Sequence, residues 1–172
     1  MAQLSICMPS NRPWATSRGA IESALAYAEK TGARLIVSDN SRDPEKREVL
    51  QNRCSPYLLY HYSPSEHASG NWLEALSLAD TPFLLPMGDD DQIHFSAGET
   101  PVDLSSLPDD VVGVRPQTQL WTAQTGICQT ECYTIDAASP AERLHEFTRK
   151  VMGNNSIYYS LYRTSAFVPL LR

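Results

Sequence analysis

At 172 residues, with 42% hydrophobic and 20% charged side chains, the chain has room for one domain with a real core and not for several. A net charge of −6 and the lack of any basic run exclude a binder of the nucleic-acid backbone, which needs Lys and Arg to neutralise phosphates. No apolar run approaches a membrane span, and the N-terminal residues carry neither a basic region nor a long apolar stretch, so no transmembrane segment and no secretory signal are expected.

In chain order, Leu4–Met8 reads as a first strand, with Cys7 a small buried hydrophobe in it. Pro9, Ser10, Asn11, Arg12 and Pro13 end that strand with turn chemistry. Thr16 or Ser17 is expected to cap the helix that follows, whose buried stripe is Ala20, Ile21, Ala24, Leu25 and Ala28, and Gly32 is its stop. Arg34–Val37 is a second strand, ending in Ser38, Asp39, Asn40 and Ser41. Asp43-Pro44 opens a short charged helix running to about Asn52. Tyr57–Tyr62 is a third strand. Ser69 is expected to cap a helix from Asn71 to Leu78 with Trp72, Ala75 and Leu76 on one face. Pro82–Met87 is a fourth strand, and it runs into Gly88-Asp89-Asp90-Asp91.

The order β-α-β-α-β-α-β with short connections predicts an α/β fold: a mostly parallel sheet with helices on both faces. The clusters Ser10-Asn11-Arg12, Asp39-Asn40-Ser41 and Asp89-Asp90-Asp91 each fall just past the carboxyl end of a strand, the edge where open parallel sheets bind ligands. Each alone fits a capped turn; three on one rim point to a site. In an extended backbone, Asp89 and Asp91 would point one way and Asp90 the other. Two carboxylates on one side form a partial shell for Mg²⁺ or Mn²⁺, the alternative being a solvated acidic turn. The first turn has no G-x-G-x-x-G and the chain no G-x-x-x-x-G-K-[ST], so a glycine phosphate loop is excluded.

The assembly of Ile6–Arg12, Val37–Ser41, Gly70–Leu76 and Leu84–Asp91 resembles the N-terminal half of a family 2 glycosyltransferase of the GT-A fold. The resemblance covers residues 4 to about 92, and its motifs are short but in order. It implies a Rossmann-like GT-A sheet that binds a nucleotide-diphospho-sugar, a UDP-sugar above all, for inverting transfer to the hydroxyl of a saccharide or lipid-linked acceptor. It implies that Pro9, Ser10, Asn11, Arg12 and Asp39 hold the base and ribose, and that Asn71 is the asparagine opening the helix before the acidic motif. The Asp89-Asp90-Asp91 triplet matches the DXD motif, with Asp89 and Asp90 facing substrate and Asp89 and Asp91 facing a metal, Mn²⁺ or Mg²⁺. Pro86 departs from the pattern, and a kinked approach to the triplet is expected from it.

Residues 93–110 read as a long loop in which His94 is a lone surface histidine rather than a ligand. Val111–Arg115, Thr118–Thr122 and Cys128–Ile135 read as strands pairing antiparallel, an extension of the sheet in the C-terminal half, with Arg115 an exposed strand arginine rather than a phosphate contact. Cys128 and Cys132 are too far apart for a zinc knuckle. Ser139-Pro140-Ala141-Glu142 is a capping box opening a helix with Ala141, Leu144, Phe147 and Val151 inward and Gly153 as its stop. Asn154-Asn155-Ser156 has sequon form without weight in a cytoplasmic chain. Ile157–Arg163 reads as an aromatic strand or short helix, expected in the core rather than as a platform for a sugar. The whole is read as one domain: 1–92 the nucleotide-sugar half and 93–172 a partial acceptor-side half, with the catalytic base outside the chain because no acidic pair after Gln92 has the right context. The expected location is the reducing cytoplasm, or the inner face of the membrane. Two alternatives stay open: a non-catalytic nucleotide- or partner-binding module of the same fold, and, with less support, a nucleotidyltransferase.

Overall fold

The computed structural model describes residues 2–95, 98–151 and 156–171. Its centre is the sheet that the apolar runs predict. Strands β1 (Leu4–Ser10), β2 (Arg34–Asp39), β3 (Leu58–Tyr62) and β4 (Phe83–Pro86) pair in parallel in the order β3-β2-β1-β4. Two short strands continue it: β8 (Leu161–Arg163) runs antiparallel to β4, and β5 (Gly113–Val114) runs antiparallel to β8. Strand alternation sends Ile6, Met8, Leu35, Val37 and Phe83 to one face. There they meet Ile21 and Leu25 of α1 (Trp14–Thr31) and Leu50 of α2 (Pro44–Gln51). Cys7, Ile36 and Leu84 go to the other face, against Ala75 and Leu76 of α3 (Ala68–Ser77). Among the described residues, no helix is long and apolar enough to cross a membrane.

The α1 stripe is buried as expected, and Gly32 closes the helix at φ 77°, a conformation open to glycine at no steric cost. The cap differs. Pro13 occupies the capping position, and the hydroxyls of Thr16 and Ser17 donate back to its carbonyl. The partner for the first α1 N–H, that of Trp14, is Asp43 Oδ2 at 2.6 Å. The other oxygen of Asp43 caps its own helix, accepting from the N–H groups of Glu45 and Lys46. One carboxylate therefore serves two helix starts, and these hydrogen bonds, that from Trp14 foremost, hold it below the usual carboxylate range. We expect Asp43→Ala to lower the melting temperature more than Ser139→Ala, which uncaps one helix; equal losses in parallel thermal melts would contradict the shared cap.

The third helix begins at Ala68, not Asn71, and Ser69 lies in its first turn. Ser65 makes this possible: its hydroxyl accepts from the His67 N–H and donates to the His67 carbonyl, against a helix turn where a Cβ on Gly70 would collide with it. Pro86 does not kink β4. The register with β1 is continuous through Cys7↔Pro86, and the Met87 N–H goes on to donate to the Cys7 carbonyl at 3.0 Å. Because Phe83 and Met87 donate toward β1, the missing donor of Pro86 lies on the opposite side, where β8 pairs only with Phe83 and Leu84.

The C-terminal half departs further. β6 (Thr118–Thr122) and β7 (Gly126–Glu131) form a hairpin of their own, with a register shift at Leu120/Trp121, and do not join the main sheet. β7 also starts and ends earlier than the apolar pattern suggests. Helix α4 (Pro140–Lys150) opens on the expected capping box of Ser139 and Glu142. Its inward face is not realised: Leu144 is 65% exposed, Ala141 is exposed, and only Phe147 and the following Val151 find cover. The expected stop at Gly153 and the Asn154-Asn155 part of the sequon lie outside the described residues.

Candidate functional site

Because β1 and β4 are neighbours, their carboxyl ends bring the first turn and the acidic triplet side by side. Gly88–Asp91 is a tight turn, with the Asp91 N–H 3.4 Å from the Gly88 carbonyl, so the alternation of an extended strand does not apply. Asp89 turns inward. It accepts from Ser10 Oγ (2.7 Å), from the backbone N–H groups of Asn11 (3.2 Å) and Arg12 (3.1 Å), and from the Arg12 guanidinium. Burial pushes its carboxyl up, but the hydrogen bonds from Ser10 and Arg12 more than offset this and hold it below the ordinary range. Asp90 is exposed and takes the other end of the Arg12 guanidinium at 2.8 Å.

Asp91 is placed differently. Its Oδ2 is buried without a hydrogen-bond partner, and burial raises its carboxyl above the ordinary range although the Tyr159 hydroxyl is directed at it. A Cβ on Gly88 would stand 2.6 Å from Asp91 Oδ2 and 2.9 Å from Asp90 Oδ1. Two carboxylate oxygens thus converge on the space that glycine leaves open. Among the described residues no three Asp, Glu, His or Cys gather as a metal cluster, so the chain would offer a hard cation two oxygens and leave the remaining positions to phosphate and water. That donor set fits Mg²⁺ or Mn²⁺ bound together with a diphosphate. It uses Asp90 and Asp91, whereas Asp89, which the sequence reading pairs with Asp91, has both oxygens engaged.

Behind this turn lies a residue that the sequence reading overlooks. Lys46 of α2 has no exposed side-chain surface, and its Nζ sits 3.0 Å from Asp39 Oδ1. It also donates to Ser10 Oγ and, at 3.0 Å, to the Arg12 carbonyl. Asp39, equally buried, accepts further from the Tyr60 hydroxyl (2.9 Å) and the Ser41 N–H (3.0 Å). Burial, then this hydrogen bond, raises the Tyr60 phenol. The rim is thus one chain of contacts: Asp39, Lys46, Ser10, Asp89, Arg12, Asp90. A base or ribose would reach Asp39 only by displacing one of these buried partners, Lys46 at Oδ1 or Tyr60 at Oδ2. The available signal was the i, i+4 spacing of Lys46 and Leu50, which puts the lysine on the one buried stripe of a charged helix.

On the other face of the sheet, the Ser38 hydroxyl donates to Asn71 Oδ1 at 2.7 Å, and Asn71 Nδ2 donates to Asn40 Oδ1 at 3.0 Å. This staples the start of α3 to the end of β2. Beside it opens a cleft of about 730 Å³, with Pro9, Ser10 and Asn11 on one side and Ser69, Asn71 and Trp72 of α3 on another. The remaining wall is Phe147 with Ile157, Tyr158 and Tyr159, residues expected in the core; of that segment only Ser160 and Leu161 are buried. Tyr158 stacks on Trp72 with ring centroids 6.1 Å apart and accepts from its Nε1, while Tyr159 meets Tyr158 edge-on at 5.3 Å. Burial pushes the Tyr158 hydroxyl up to about 12.

Other candidates fall away from the cleft. Arg115 is not exposed: it pairs with Glu131 at 3.0 Å and lies over the Tyr133 ring. His94 is a surface residue. All four cysteines are free thiols, and burial pushes that of Cys7 up to about 12.

Fold and cleft together define a mixed α/β protein with a concave site at the carboxyl edge of a parallel sheet. Among solved structures, the chain is similar to the crystal structure of S. aureus TarS 1–349, a glycosyltransferase. The identity is 22% and the TM-score 0.44, over 52% of this chain and 28% of that one. No protein-family model matches the chain, and no curated protein does.

Proposed function

We propose that the chain binds the donor of a glycosyl transfer, a nucleotide-diphospho-sugar such as a UDP-sugar, for inverting transfer to a saccharide or lipid-linked hydroxyl. The observation that carries this reading is the pair of carboxylate oxygens over Gly88, one of them buried and unpartnered, beside the β1 turn that walls a cleft of about 730 Å³. That volume lies in the range of small-ligand sites. Asp90 and Asp91 are the proposed ligands of Mn²⁺ or Mg²⁺. A bound cation would screen the diphosphate and stabilise it as a leaving group. Asp89 has a different part: it fixes the backbone of Asn11 and Arg12, so that Pro9, Ser10 and Asn11 present one rigid wall to the donor. Asn71 fixes the opposite wall through Ser38 and Asn40. Asp39 acts on the site through Lys46 and Ser10.

The test is UDP binding by calorimetry, in Mn²⁺ and in chelator. UDP should bind more tightly with the metal, and Asp91→Asn should remove the difference. Equal affinity in the two buffers defeats the cation site and leaves the alternative of a metal-free nucleotide-binding module, which the Arg12 bridge across Asp89 and Asp90 would favour.

A further inference from the structure

The donor reading leaves open where the nucleoside base sits, because the carboxylate expected to meet it is buried and already paired. Asp39 has Lys46, Tyr60 and the Ser41 backbone as partners and no exposed surface. The cleft offers a different surface. Beside the acidic turn, Tyr159 lies edge-on to Tyr158 with centroids 5.3 Å apart, and Tyr158 stacks on Trp72 at 6.1 Å, so that an aromatic wall runs along the cleft. The same cleft is lined by side chains able to donate and accept, Asn11 from the β1 turn and Ser69 beside Trp72 on α3. A planar ring with an apolar face and a polar edge is what such a cleft accommodates.

We propose that Tyr158 and Trp72 form the stacking surface for the base of the bound nucleotide. This rests on the donor reading above and replaces Asp39 as the site of base recognition. Stacking on an aromatic side chain contributes without regard to base identity, so the wall supplies affinity, and the polar side chains lining the cleft supply the choice of base.

Two ligands separate the inference from the reading beneath it: UDP and inorganic pyrophosphate, each titrated in Mn²⁺ into wild type, Tyr158→Ala and Tyr158→Phe. Tyr158→Ala should weaken UDP by about 5- to 150-fold, the loss of one stacked base. Pyrophosphate should be unaffected, and Tyr158→Phe should stay close to wild type for UDP. Equal UDP affinity in wild type and Tyr158→Ala overturns the proposal, as does an equal loss for pyrophosphate, which would put phosphate at the wall. A wild type that binds pyrophosphate but gains nothing from the base also overturns it while sparing the cation site; one that binds neither ligand defeats both. If Tyr158→Ala does not fold, the base protons of UDP bound to wild type decide. An upfield ring-current shift larger than that of the ribose protons supports stacking, and its absence refutes it.

Discussion

Replacing Lys46 with methionine should cost about 3–5 kcal/mol of folding stability, the penalty for leaving a buried charge without its partner. The stem packs much as before, so the loss comes from Asp39, whose carboxylate would keep only the Tyr60 hydroxyl and the Ser41 N–H in a site with no exposed surface. Ser10 and the Arg12 carbonyl lose a donor at the same time. Urea denaturation of wild type, Lys46→Met, Asp39→Asn and the double variant gives the coupling directly. The double variant should recover much of the loss, because a neutral amide at Asp39 no longer needs a cation. A Lys46→Met variant within about 1 kcal/mol of wild type, the range of exposed pairs, would mean that the ion pair is solvated.

The second large effect is expected on transfer. Among the described residues, none that lines the cleft is a carboxylate or a histidine. An inverting transfer needs a base within hydrogen-bond reach of the acceptor hydroxyl, and such a group is typically worth about 10²–10⁴-fold. Residues 1–172 should therefore bind donor and release nucleoside diphosphate only at a slow hydrolytic rate, whatever acceptor is added. Following free nucleoside diphosphate and glycosylated product separately checks this. Acceptor-dependent product well above the hydrolysis rate would sink the expectation and call for substitutions at Glu131, Asp136 and the carboxylates of residues 93–110 to find the base.

The parallel half of the fold was legible because its signals are local: apolar runs of strand length, helical stripes, a proline-led helix at Pro44 and a glycine stop at Gly32. The site was legible only in outline. Turn chemistry after each strand marks the rim, but which side chain faces a ligand depends on partners far away in sequence. Lys46 reaches Asp39 and Ser10, and Arg12 reaches Asp89 and Asp90, across gaps that no periodicity reveals. The same holds for the Asp43 oxygen that caps α1 from outside. Tyr158 and Tyr159 read as core because aromatic residues in a row near a strand usually are. Leu144 read as inward because its helix has a clear apolar stripe, and a stripe records what a helix could bury rather than what lies beside it.

Pro86 carries a consequence for the shape of the cleft. β4 and β8 run antiparallel with Phe83 opposite Arg163 and Leu84 opposite Tyr162. Carried on in the same register, Pro86 would face Ser160, and the next position would face Tyr159. A proline cannot donate there, so the two strands part like the jaws of a clasp at that point. Tyr159 lies outside that ladder, edge-on to Tyr158, which stacks on Trp72. A donor-bearing residue at position 86 would invite the strands to close further and draw the aromatic wall into the ladder. The missing N–H of Pro86 thus falls where the β4–β8 ladder ends and the aromatic wall begins.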